Sequence, residues 1–60
     1  MSNTYGFGYE VKFVDGSIVT NDFPFDTKEE AQMGLNYVLE FFSENYPSLT
    51  VARHKLTIMS

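Results

Sequence analysis

The stretch Asp26-Thr27-Lys28-Glu29-Glu30-Ala31-Gln32-Met33-Gly34-Leu35-Asn36-Tyr37-Val38-Leu39-Glu40-Phe41-Phe42-Ser43-Glu44-Asn45-Tyr46-Pro47 is the one segment of this chain long and periodic enough to predict a helix. Thr27 and Glu30 make a Thr-x-x-Glu capping box, in which each side chain satisfies the other's free backbone N–H. Glu29 and Glu30 also stand at the positive end of the helix dipole. Pro47 disfavours helical geometry at Tyr46 and predicts the stop there. Between these signals Ala31, Leu35, Val38, Leu39, Phe42 and Tyr46 recur at helical spacing, which predicts one apolar stripe packed as core.

The other side of this helix is not simply polar. At about 100° per residue, Met33, Tyr37 and Phe41 fall away from the core stripe and share their side with Glu30, Glu40 and Glu44. Grouped apolar residues on a surface mark an interface, whereas scattered ones need no explanation. Met33, Tyr37, Phe41, Glu30, Glu40 and Glu44 are therefore the candidate partner-binding residues, with Tyr37 as anchor and the acids as a charged rim.

Upstream, Tyr5 to Val14 alternates at period two, with Tyr5, Phe7, Tyr9, Val11 and Phe13 on one face and Gly6, Gly8, Glu10 and Lys12 on the other. Asp15-Gly16 is a preferred pair for a two-residue hairpin turn with positive φ at both positions. Such a turn pairs Phe13 with Ile18 and Val11 with Thr20 on the core face, and sets Lys12 opposite Val19 on the outer one. Ser17 to Asn21 is the return strand, and Pro24 ends its ladder. Phe23 and Phe25 are expected to cover the start of the helix. Leu49 to Met59 predicts a third strand whose apolar parity switches, so a bulge is expected near Ala52-Arg53.

Strand, strand, helix, strand is an α+β order. The crossover through the helix makes the last strand parallel to the second and antiparallel to the first, beside which it pairs. The prediction is a β-β-α-β domain spanning residues 1–60, with a three-stranded antiparallel sheet in the order 2-1-3 and one helix packed on one face.

Composition narrows the function. With 60 residues and no cysteine, the chain has no disulfide or thiolate metal site to reinforce a small core. Its 17% aromatic content supplies a dense core, and oligomerisation is the other common remedy at this size, so a homodimer is expected. A net charge of -4 opposes direct, non-specific nucleic-acid binding and suits a basic protein surface as partner. Residues Met1 to Gly6 carry no basic region followed by an apolar run, and no stretch approaches a membrane span. The cytoplasm is the expected compartment, with no membrane partner.

No motif points to an enzyme, and neither a cofactor nor a metal is expected. Gly6-Phe7-Gly8 would need a third glycine at position 11 to read as a dinucleotide loop, and that position is Val11 in a continuing strand. The two glycines instead suggest something approaching the outer sheet face closely, such as another chain. The aromatics of the first strand resemble a base-stacking platform, but the helix needs that face for its own stripe. Arg53, His54 and Lys55 form the one basic cluster, with Lys12 beside it and Glu10 available to pair. His54 has no acid or nucleophile partner in the sequence to support catalysis.

In general character the chain resembles the small phage-encoded inhibitors of bacterial defence, of the anti-CRISPR kind. The resemblance rests on a tiny, acidic, cysteine-free, aromatic-rich domain with Glu29, Glu30, Glu40 and Glu44 on one helix. It implies a non-enzymatic inhibitor in the host cytoplasm that occupies a Lys/Arg-rich, nucleic-acid-handling surface, such as a CRISPR effector complex. Two other readings stand beside it. One is a small nucleic-acid-binding module using Lys12, Arg53 and Lys55. The other is a structural homo-oligomer.

Overall fold

A computed structural model describes residues 6–59, with Met59 described by its backbone alone. Its elements are β1 (Gly6–Phe13), β2 (Ile18–Thr20), α1 (Lys28–Asn45) and β3 (Val51–Met59). The three strands form one antiparallel sheet in the order β2-β1-β3, and α1 packs on β1 with lighter contact to β3. The fold is α+β, as the element pattern predicts. Tyr5, assigned above to the apolar face, lies outside the described residues.

The helix ends where its sequence signals stand. Thr27 is the N-cap, and its Oγ1 accepts the Glu30 N–H at 3.1 Å. The returning half of the box does not form, and the Glu30 side chain stays in solvent. At the other end Tyr46 leaves helical geometry before Pro47 while its N–H still reaches the Phe42 carbonyl at 2.9 Å. Of the predicted stripe, Ala31, Leu35 and Val38 are buried, and Leu39 and Phe42 are half-buried against them. Tyr46 corrects the expectation: its ring is exposed and rests only on the edge of the aromatic cluster, 5.4 Å from Phe42. Val11 and Phe13 complete the core from β1, with the Phe13 and Phe42 rings 5.1 Å apart.

The hairpin differs from the prediction by one residue. Phe13 donates its N–H to Ser17 O at 2.9 Å and accepts that of Gly16 at 3.0 Å, so the loop is Val14, Asp15 and Gly16. Gly16 alone has positive φ, at 96°. This is a turn followed by a left-handed glycine, the common three-residue hairpin connection. Asp15 Oδ1 accepts the Ser17 N–H at 2.9 Å and holds the loop. The longer loop sets Glu10 opposite Thr20, Val11 opposite Val19 and Lys12 opposite Ile18. A slip of one residue exchanges the faces of a strand, so Val19 packs on the core and Ile18 lies exposed on the outer face.

β3 carries the predicted bulge. Lys12 pairs with Arg53 while Phe13 pairs with Val51, which leaves Ala52 as the extra residue. The strand begins at Val51 rather than Leu49. Leu49 still packs on the core from the preceding turn.

On its other edge β1 is continued by the chain that follows β2. Phe7 and Phe25 exchange both backbone hydrogen bonds, at 2.9 and 2.8 Å, and between them Asn21 Oδ1 accepts the Tyr9 N–H at 2.9 Å. The Asn21 side chain also donates to Phe23 O, closing the loop-out of residues 22–24. At Gly6 the approach suggested by the glycine pair comes from this chain itself. A Cβ on Gly6 would stand 2.5 Å from Phe25 O and 2.7 Å from the Pro24 Cβ. Of the two phenylalanines assigned to the start of the helix, only Phe25 covers it. Phe23 points into solvent.

Candidate functional site

The predicted outer helix residues are exposed. Met33 is 69% accessible, Tyr37 68% and Phe41 40%, and Glu30, Glu40 and Glu44 stand in solvent among them. Helical geometry brings positions three and four apart onto one face, and the result is a row rather than three isolated side chains. Tyr37 and Phe41 stack with centroids 6.3 Å apart and planes 23° from parallel. Phe41 meets Phe42 edge-on at 5.4 Å, and Phe42 reaches Phe13 in the core. A train of rings thus ties the exposed Tyr37 to the interior, which limits the rotamer freedom it would lose on binding a partner.

Two shallow depressions flank Met33. One is lined by Met33, Asn36, Tyr37 and Glu40. The other is lined by Pro24, Phe25, Asp26, Glu30, Met33 and Gly34. Together they make a groove that runs from the loop before α1 to the middle of the helix, apolar along its floor and acidic at its rim. The sequence reading missed the Pro24–Asp26 end. Nothing local in the sequence places the loop beside Met33. It is the Phe7–Phe25 bridge that does so.

The charges segregate. The four Lys and Arg residues of the chain are Lys12, Lys28, Arg53 and Lys55. Pairing places Lys12 beside Arg53, and Glu10 beside Lys55, on the sheet face away from the helix. Lys28, in the first turn of α1, lies on the sheet side of the helix and lines a depression with Phe7 and Leu56. The outer side of the helix is left with acids alone. Lys55 Nζ lies 3.7 Å from Glu10 Oε1, the exposed pairing anticipated for the basic cluster. Such surface pairs contribute about 0–1 kcal/mol.

His54 pairs across from Val11 and is exposed at the edge of the sheet. Among the described residues, no group of three or more His, Asp or Glu side chains is placed to hold a metal ion, and no helix is long and apolar enough to cross a membrane. No protein-family model matches this chain, and no curated protein or solved structure matches it.

Proposed function

We propose that this protein is a non-enzymatic inhibitor that binds a basic protein surface through the outer face of α1. The observation that supports this reading most is the row Met33, Tyr37 and Phe41 standing exposed among Glu30, Glu40 and Glu44, with every Lys and Arg elsewhere. An exposed aromatic anchor that a partner desolvates concentrates binding energy, and a charged rim sets association rate and orientation. Surfaces that complement this face are Lys/Arg-rich, as those of nucleic-acid-handling proteins are, CRISPR effector complexes among them. By occupying such a surface the protein would exclude the nucleic acid.

The test is binding to purified basic nucleic-acid-handling proteins, with block of their nucleic-acid binding or cleavage as the functional readout. Tyr37→Ala should weaken binding by more than about tenfold, the 1.4 kcal/mol equivalent of one decade. Glu40→Lys with Glu44→Lys should slow association most at low salt. Arg53→Glu with Lys55→Glu, on the sheet face, should leave binding unchanged. If the sheet variant abolishes binding while the helix variants bind like the parent, the sheet is the functional face. Salt-dependent binding of the parent to an oligonucleotide would then establish a nucleic-acid module instead.

A further inference from the structure

β3 is an edge strand of 9 residues, and among the described residues no strand pairs with it on the side away from β1. Which of its groups face outward follows from the ladder. Phe7, Tyr9 and Phe13 direct their N–H groups toward the β2 side, to Phe25, Asn21 and Ser17. Backbone direction alternates along a strand, so Gly8, Glu10 and Lys12 bond to β3, through their partners Thr57, Lys55 and Arg53. His54, Leu56 and Ile58, at the alternate positions, therefore turn their N–H and C=O groups to the free edge. Unpaired edges of this length are templates for another strand.

The face beside this edge is also unfinished. α1 lies over β1, and Phe7, Leu56, Thr57, Ile58 and Lys28 outline a depression that the helix leaves open. Ile58 is 70% exposed although it shares a face with Phe7 and Leu56. The open edge and the open apolar shelf are thus adjacent, and they belong to the same residues.

We propose that β3 pairs antiparallel with β3 of a second copy, about a two-fold axis at Leu56. This extends the 3-stranded sheet into one of twice the width, with both helices on one side. The occupant is a second copy because the strand can face itself antiparallel with apolar residues opposed on the helix side and no like charges opposed on the other. With Leu56 opposite the second copy's Leu56, His54 stands opposite Ile58, and these are the residues whose N–H and C=O groups face outward. On the helix side, Leu56 gains an apolar neighbour, and Ile58 is enclosed between Phe7 and the second copy's His54. On the outer side, Lys55 falls opposite Thr57, and Arg53 opposite Met59. The register one step back sets Lys55 against Lys55, and the next sets Arg53 against Lys55. Like charges directly opposite are destabilising, so the two cations disfavour these registers, while the register one step forward, with Thr57 opposite Thr57, opposes no like charges but pairs only residues 55–59 instead of 53–59. The pairing is independent of what the outer helix face binds. It would present two such faces on one side, which converts a second contact on a large partner into an intramolecular one.

Sedimentation equilibrium of the full chain should give twice the 6.9 kDa chain mass at high micromolar concentration. His54→Pro removes an outward N–H without touching the β1–β3 ladder, and should raise the dimer dissociation constant by more than about tenfold, given the bonds lost from both copies. Thr57→Lys, which sets like charges opposite twice, should weaken the dimer several-fold. Thr57→Glu, opposite Lys55, should tighten it. Far-UV circular dichroism checks that each variant is folded. If His54→Pro does not fold, the opposite responses of the Thr57 pair decide the matter. A parent that remains a monomer overturns the proposal. So does a dimer that responds alike to both Thr57 variants, or one that is dissociated by Tyr37→Ala and left intact by the β3 changes.

Discussion

The ring of Phe25 lies against the backbone of Gly34. A Cβ at Gly34 would stand 2.8 Å from Phe25 Cζ and 3.2 Å from Tyr9 Cε2. Phe25 is held there by its backbone bridge to Phe7, so the loop before the helix is clamped between sheet and helix. The acidic end of the outer groove depends on this clamp, because Pro24 and Asp26 flank the same ring.

Gly34→Ala should therefore destabilise the domain, although alanine is better than glycine in a helix by about 1 kcal/mol. Overpacking against two rings costs about 1–3 kcal/mol, and the net loss should be about 1 kcal/mol. In a Phe25→Leu background the clash is relieved, and Gly34→Ala should become neutral or stabilising. Urea melts of the four variants in this cycle measure it. A Gly34→Ala single variant more stable than the parent would show that the ring moves aside freely.

The hairpin loop should report on acid. The Asp15 carboxylate is held below its ordinary value, 3.8, first by the backbone N–H of Ser17 and then by the Ser17 side chain. Because the folded value is the lower one, the stabilisation is present above pH 3.8 and is lost as pH falls through the folded value. Asp15→Asn keeps an acceptor but does not titrate. Thermal melts should show the parent's margin over this variant at neutral pH shrinking below pH 3.8. The effect is small because the group is exposed, and a margin constant across that range would exclude this carboxylate from the acid response.

Core depth separates two leucines on one helix. Leu35 is 2% exposed, and Leu35→Ala should cost about 2–5 kcal/mol, the range for truncating a buried leucine. In a domain of this size that is most of the total stability. Leu39 is only half-buried, so Leu39→Ala should cost distinctly less. Denaturant midpoints compared at unchanged slope make the measurement, and equal costs would mean that α1 is rotated relative to the sheet.

Much of this architecture is legible from local chemistry. Thr27, Glu30 and Pro47 bound the helix through backbone groups within one turn of themselves, so they act whatever lies elsewhere. The 3.6-residue period divides Ala31, Leu35 and Val38 from Met33, Tyr37 and Phe41, and burial follows that division. The parity switch in β3 required an extra residue, and Ala52 is that residue. The strand order followed from one helical crossover.

What the tertiary structure decided is the pairing of segments whose local chemistry suits more than one partner. Asp15-Gly16 serves a two-residue or a three-residue loop, and Ile18 and Val19 are both apolar, so neither the turn nor the pattern chooses a face. The Asp15–Ser17 bond and the left-handed Gly16 choose it, and Val19 goes inward. Phe23 and Phe25 are likewise alike in sequence, two residues apart around Pro24. Phe25 is drawn in because β1 offers it the backbone of Phe7 and α1 offers it the bare backbone of Gly34, and Phe23 is left in solvent. Hydrophobic pattern says which residues favour burial. Which of two equivalent residues obtains it is decided by the backbone partners that form, nearby in the hairpin loop and distant in the Phe7–Phe25 bridge.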